Sequence, residues 1–281
     1  MVDTLGNAGD TGLTPGTVVL IGIPFDEYSS FLRGPAKAPP IIRQTLHNGS
    51  SSLCAENGID LNRHPLFQDL GDLTLPCGED AIEAIQRAVG RLSAQRARIL
   101  VLGGDHSVTF PVVQALTGTI DELTILQLDA HPDLYESYDG SPFSHACPFA
   151  RIMETGRVKR LIQVGIRGLN NEQRRQIHKY GVTCIEMKAC GSKIPIDLEG
   201  PVYISLDMDV LDPAFAPGVS HHEPGGMSTR SVLHLIQSIE QPIVGADIVE
   251  YNPDRDVGGM TAAVAAKFLK EIAAKMLDQR Y

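Results

Sequence analysis

The sequence predicts an α/β fold, a three-layer α-β-α sandwich around a mostly parallel central sheet. Three observations carry that reading. Short β-branched or Leu-rich runs recur along the chain, longer amphipathic segments separate them, and clusters of acidic and imidazole side chains fall directly after the apolar runs. Near-continuous apolar runs suit strands covered on both faces, and their alternation with helical segments is what a parallel sheet wrapped by crossovers looks like in sequence.

The runs are TVVLIGIP near 17 to 24, RILVLGG near 98 to 104, LTILQLDA near 123 to 130 and RLIQVGI near 160 to 166, followed by GVTCIE, PVYISLD and PIVGADIVE. Apolar periodicity predicts helices near 38 to 47, 79 to 95, 107 to 117, 170 to 180, 229 to 239 and 260 to 277. At 281 residues and 43% hydrophobic composition, the chain has the material for a substantial core. No repeat, low-complexity block or linker divides it, so residues 16–281 are expected to form a single domain behind a polar, Gly-rich, flexible tail at 1–15.

Charge and cysteine usage narrow the class. With 34 acidic against 24 basic residues the formal charge is -10, and no basic stripe interleaves with aromatic residues, so DNA or RNA is not an expected partner. An acidic site would instead attract a cationic substrate. Cys54, Cys77, Cys147, Cys184 and Cys190 are odd in number and too dispersed for a disulfide framework or a repeated CxxC zinc site, which fits a reducing compartment. The first residues lack the basic start and apolar core of a secretory signal, and no apolar run approaches the roughly 20 residues that span a membrane. The expectation is a cytoplasmic protein with no membrane partner.

Two strand-ending clusters carry the chemistry. LQLDAHPDLY places Asp129, His131 and Asp133 two residues apart, and YISLDMDVLDP does the same with Asp207 and Asp209. Alternate side chains of an extended strand share a face, so these five groups can converge, and His106 in VLGGDHS offers a sixth after a third run. Crowded carboxylates repel unless cations neutralise them, which makes a carboxylate-bridged pair of divalent ions the economical reading. Oxygen-rich ligation with two imidazoles favours two Mn2+ ions, while ligand type leaves nickel, cobalt and iron open. A single Asp-x-His more often caps a helix or lines a polar loop; the joint arrangement is far more specific. The glycines of GGDHS also have a plainer reading as a tight turn, with Asp105 or Ser107 capping the next helix.

With GGDHS, DAHPD and SLDMDVLDPAFAPG together, the chain resembles the arginase/agmatinase family of ureohydrolases. The resemblance runs from GIPFDEYSSFLRGPAKAPPIIR to GADIVEYNPDRDVGGMTAAVAAKFLKEIAAKM, nearly the whole chain, and GVSHHEPGGMSTR and SHACPFARIM are most similar to the plant-type arginase branch. It implies an arginase-like fold, a single ureohydrolase domain, and a trimeric or hexameric homo-oligomer. It also implies that His106, Asp129, Asp133 and Asp207 bind one manganese and Asp129, His131, Asp207 and Asp209 the other, with Asp129 and Asp207 bridging. The implied activity is hydrolysis of a small cationic guanidino compound to urea and an amine. Asp133 would help move the proton of the attacking water, His145 in FSHAC would deliver a proton to the departing amine, and Glu250 in DIVEYNPDRD would hold the guanidinium.

Each assignment has a plainer alternative. A loop histidine such as His145 is more often an ordinary polar residue, and Glu250 could pair with Arg255. Asp247 could be structural. His221 and His222, in a Gly/Pro-rich loop, could line the entrance or bind substrate, with His221 the candidate substrate contact. Whole-chain similarity puts L-arginine first and agmatine next; Gly168 and Asn170 in VGIRGLNNEQ stand where many arginases carry acidic residues. A catalytically silent metal-binding regulatory protein on the same fold is the rival class. A dinuclear phosphoesterase is less favoured because no GxxxxGK[ST] loop is present.

Overall fold

The computed structural model describes residues 12–191, 194 and 196–279. Most of the tail expected at 1–15 falls on residues 1–11, outside the described residues. Among the described residues, β1 (Val18–Gly22), β2 (Phe67–Asp72), β3 (Arg98–Leu102), β4 (Leu123–Leu128), β5 (Val158–Ile166), β6 (Thr183–Glu186), β7 (Val202–Asp207) and β8 (Ile243–Val249) form one sheet, ordered β2-β1-β3-β8-β7-β4-β5-β6. Every pairing is parallel, so the expected mostly parallel sheet is wholly parallel.

The strand pleat divides the core in two. Val18 and Leu20 join Leu100, Leu102, Leu126 and Ile204 on one face, where α1 (Ala38–His47), α6 (Thr229–Ser238) and α7 (Met260–Asp278) cover them. Val19 and Ile21 join Ile99, Val101, Ile125 and Tyr203 on the other, under α2 (Glu79–Ala94), α3 (Thr109–Leu116) and α4 (Pro148–Glu154). Ile177 and Tyr180 of α5 (Asn171–Tyr180) pack on that second face too. The central strands β1, β3, β4, β7 and β8 are buried at every position, which is why they read as unbroken apolar runs.

Local signals set the helix ends. The Asn170 side chain accepts a hydrogen bond from the Gln173 N–H at the start of α5, and Gly181, at φ 62°, stops it in the left-handed conformation glycine tolerates. Ser228 caps α6 in the same way through the Ser231 N–H. No helix among the described residues is long and apolar enough to cross a membrane.

Two elements have weak sequence signals. β2, sequence FQDLGD, bonds only to β1 and is half-exposed, so its residues need no apolar alternation. Instead Asp69 and Asp72 grip the Arg43 guanidinium of α1, with Arg43 Nε 2.8 Å from Asp69 Oδ2. α4 spans only seven residues, two turns that leave little periodicity to read.

The functional consequence lies at the centre of the sheet. β3, β8, β7 and β4 stand side by side, and ligands of open parallel sheets collect beyond the carboxyl ends of the strands. His106 follows β3, Glu250 follows β8, Asp207 ends β7 and Asp129 follows β4.

Candidate metal centre and active site

The β3 turn begins with a close approach. A Cβ on Gly104 would lie 1.8 Å from the Phe25 carbonyl oxygen, so only glycine lets this turn pass beneath the loop after β1. Asp105 then caps the short helix His106–Val108 by accepting from the Ser107 N–H, so the turn-and-cap reading holds. His106 faces the carboxylate cluster from the same turn.

His106 Nδ1 lies 3.2 Å from Asp129 Oδ2, 3.0 Å from Asp133 Oδ2 and 3.2 Å from Asp207 Oδ2. These four residues form one group, and Asp129, His131 and Asp209 form a second, with His131 Nδ1 2.9 Å from Asp209 Oδ2. Asp129 belongs to both groups. Asp207 groups with the first, while its Oδ1 accepts from the Asp209 N–H at 2.7 Å. All of the sequence-derived ligand candidates therefore converge.

The supporting hydrogen bonds orient these groups for a cation. Tyr203 and Thr109 hydroxyls donate to Asp247 Oδ2 at 2.6 and 2.8 Å, and Ser205 donates to Asp247 Oδ1 at 2.8 Å. The Ser205 oxygen is thus left to accept from His106 Nε2, 2.9 Å away, which places the ring proton there. His106 Nδ1 then presents a lone pair, buried and without a hydrogen-bond partner, to three carboxylate oxygens. Lone pair against carboxylates is repulsive; a proton on that nitrogen, which the three carboxylates favour, or a metal ion in its place relieves it, and the donor set fits a metal ion. Asp247 is the anchor of this chain rather than a ligand.

Electrostatics point the same way. Burial and the neighbouring Asp133 and Asp209 push Asp129 up to about 7. Burial and the neighbouring Asp209 and Asp129 raise Asp207 well above the ordinary carboxylate range. Burial would raise Asp209 as well, but the adjoining His131 lowers it. Cations would relieve this repulsion and displace the protons. Gln127 Nε2 donates to Asp129 Oδ2 at 2.7 Å, and Gln163 Nε2 donates to Gln127 Oε1 at 2.6 Å, a relay of buried amides that fixes one bridging candidate.

Beside the cluster, His145 Nδ1 lies 2.7 Å from Glu250 Oε1, and that oxygen also accepts the His106 N–H at 2.9 Å. Glu250 therefore pairs with His145, not Arg255. Burial alone would lower the His145 imidazole, yet the Glu250 charge and hydrogen bond raise it to about 9. Asp133 and Glu250 both adopt left-handed backbone, φ 49° and 62°, a conformation costing roughly 1–2 kcal/mol for a residue with a Cβ. Both line the cleft, although Arg96, Glu122 and Asp139 adopt the same backbone elsewhere among the described residues.

A cleft of about 180 Å³ opens over both groups, lined among others by Ser30, Tyr135, Tyr138, Gln173 and His221. The His221 ring stands 5.4 Å from that of His145 and 6.0 Å from that of His131, and burial and His145 lower its basicity. His222 instead faces the Pro217 carbonyl, 2.7 Å away, and does not line the cleft. Gly168 reaches the cleft because a Cβ there would meet His131 Cδ2 at 2.5 Å, and Asn170 Nδ2 donates to the Tyr135 hydroxyl at 2.6 Å. Ser30, Ser205, Gln127 and Arg167 carry no spacing signal that would mark them in sequence. Arg167, two residues beyond Gly165, donates to the carbonyls of Asp209, Leu211 and Glu223 at 2.6, 3.1 and 2.6 Å and so clasps the loop after β7.

The fold and the paired ligand groups fit a metal-dependent hydrolase, and likeness to known proteins makes it a dinuclear ureohydrolase acting on a guanidino C–N bond. The chain belongs to the Arginase family, whose sequence profile matches residues 16–274. It is 46% identical over 278 residues to the mitochondrial arginase 1 of Arabidopsis thaliana, covering 92% of this chain and 80% of that protein. The solved arginase of Medicago truncatula superposes with a TM-score of 0.86 at 43% identity, covering 92% of this chain and 87% of the other. A more distant relative, the N(1)-aminopropylagmatine ureohydrolase of Thermus thermophilus, is 34% identical over 277 residues, 90% of this chain and 89% of that one.

One expectation is overturned. The similar plant arginases are named mitochondrial or chloroplastic, which contradicts the cytoplasmic location read from the chain. The physical reason is that an address is written on a separable leader and read by a receptor, so the composition of the folded domain does not report it.

Proposed function

We propose that this protein hydrolyses L-arginine to L-ornithine and urea with two manganese ions. The observation that carries the reading is the pair of candidate ligand groups sharing Asp129, with His145 and Glu250 lining the same cleft. His106, Asp129, Asp133 and Asp207 would hold one ion, and Asp129, His131 and Asp209, with Asp207 as a second bridge, the other. When bound, such a pair lowers the pKa of a water and supplies hydroxide at neutral pH.

The chain's own side chains do the rest. Glu250 accepts charge-assisted hydrogen bonds from the guanidinium and sets its plane over the ligand cluster. Asp133, which lines the cleft, helps move the proton of the attacking water. Glu250 raises the basicity of His145, which favours a proton on the ring for the departing amine, without which the C–N bond breaks to a poor leaving group. His221, its Nε2 without a partner among the described residues, borders the same space and contacts the substrate.

Agmatine is the second reading, and one observation favours it. Among the described residues lining the cleft there is no lysine or arginine to meet an α-carboxylate. L-Arginine stays first because of the extent of likeness to plant arginases. Support for one ureohydrolase unit over 16–281 comes from the profile match and the single sheet, and a trimer or hexamer is proposed on family likeness alone. Urea release from L-arginine, agmatine and 4-guanidinobutyrate by manganese-loaded protein tests the reading. Fastest release from L-arginine supports it, and no release from any of the three removes it.

A further inference from the structure

We propose that Ser30 is a positioning residue for His145, holding the ring nitrogen that gives up the proton to the departing amine. The inference rests on the hydrolase reading above and adds a residue to it.

His145 is gripped from both sides. Its Nδ1 faces Glu250 Oε1 at 2.7 Å, and its Nε2 faces the Ser30 hydroxyl at 2.8 Å. With the Glu250 carboxylate able only to accept, Nδ1 carries a proton directed at it, and Nε2 is the nitrogen left toward the cleft. Ser30 lines that cleft. With Nε2 protonated the Ser30 oxygen accepts from it until the departing amine takes that place, and once Nε2 has given up its proton the Ser30 hydroxyl donates to it. A ring tethered at one nitrogen can still rock about its Cβ–Cγ bond, whereas tethers at both fix its plane. Orientation of this kind is worth rate because proton transfer needs the donor within hydrogen-bond reach of the amine.

The serine is itself held by design of the surrounding loop. Buried Asp105 accepts from the Tyr28 N–H at 3.1 Å and the Ser29 hydroxyl at 3.2 Å through Oδ2. Asp26 Oδ2 accepts from the Gly34 and Ala36 N–H groups at 2.7 and 3.2 Å, closing the far end of the segment. The His145 N–H donates back to the Tyr28 carbonyl at 3.1 Å, so ring and loop are tied through backbone as well as side chain. Asp105 immediately precedes His106, and one turn therefore sets both a metal-ligand candidate and the seat of Ser30.

The experiment compares wild type, Ser30→Ala and Ser30→Thr by steady-state urea release with manganese, and by the 15N shifts of the His145 ring in full-length, metal-free protein. The ring signal is assigned by its loss in His145→Asn. Ser30→Ala is expected to lower kcat about tenfold, the scale of one hydrogen bond, with KM within about twofold and metal content unchanged. Ser30→Thr keeps the hydroxyl and is expected to recover kcat to within about threefold of wild type. The Nε2 shift should move in Ser30→Ala and stay in Ser30→Thr. Wild-type kcat in Ser30→Ala, equal losses in both variants, or an unmoved Nε2 shift would each overturn the proposal. If wild type itself releases no urea, the hydrolase reading fails, and an Nε2 shift that moves in Ser30→Ala alone still upholds the positioning contact.

Discussion

Asp129 and Asp207 meet across neighbouring parallel strands, each placing its Oδ2 3.2 Å from the same His106 nitrogen. Register explains it. Leu128 of β4 pairs with Leu206 of β7, so the next residues, Asp129 just past β4 and Asp207 at the end of β7, stand at the same level. Two aspartates one step past a matched apolar pair must therefore face one another, and their burial makes the arrangement costly without a cation between them.

Removing the shared ligand should empty the centre. Asp129→Ala is expected to bring bound manganese from two ions per chain to below one, measured by elemental analysis after gel filtration, and to lower urea release by at least about 100-fold. Stripping metal from wild type should also lower the melting temperature, since a ligand that binds only the folded state stabilises it. Full metal content in Asp129→Ala would show that the two groups do not share it.

The acid group should separate from the metal site. His145→Ala is expected to retain both ions while kcat falls by roughly 10²–10⁴, the usual weight of a positioned acid or base. Glu250→Gln removes the charge that keeps His145 protonated, so its kcat should fall and its KM for the guanidinium should rise. Steady-state kinetics beside metal analysis distinguish these outcomes, and a loss of metal in His145→Ala would sink the assignment.

Arg167 should matter to stability before chemistry. Its guanidinium satisfies carbonyls of Asp209, Leu211 and Glu223, and Arg167→Met leaves them unpaired in a half-buried loop. A loss of roughly 2–3 kcal/mol is expected, at about 1 kcal/mol per hydrogen bond. Urea denaturation of metal-free protein measures it, and a change under about 0.5 kcal/mol would contradict the role.

Cysteine reactivity should follow burial. Burial and Asp133 push the Cys147 thiol up to about 12, so at pH 8 only about one in ten thousand is thiolate. As pH rises toward 12 the nucleophilic form grows tenfold per unit. Exposed Cys54 should be alkylated by iodoacetamide at pH 8 while Cys147 is spared, as read by peptide mass spectrometry. Equal labelling of both would show that the α4 start is open to solvent.

Much of this site is legible in sequence because its candidate ligands stand at or just past the ends of buried strands. DAHPD and DMD follow apolar runs whose period of two decides which side chains converge, and the structure gathers all six candidates. What escaped depends on tertiary placement. Ser30 and Arg167 act through loops brought in by the sheet order, and no local spacing announces a hydroxyl or guanidinium that serves a partner over 40 residues away. β2 escaped for a different reason: an edge strand held by Asp69, Asp72 and Arg43 carries polar residues and so shows no apolar run. Of the paired histidines, only three-dimensional packing separates His221, on the cleft, from His222, against Pro217.

The most direct test of the account is urea formation from L-arginine by protein verified to carry two manganese ions per chain, run beside the same protein stripped with chelator. The account predicts steady urea and ornithine release in equal amounts from the loaded protein and none from the stripped one. A fully loaded protein that leaves L-arginine and every other guanidino compound intact would contradict it.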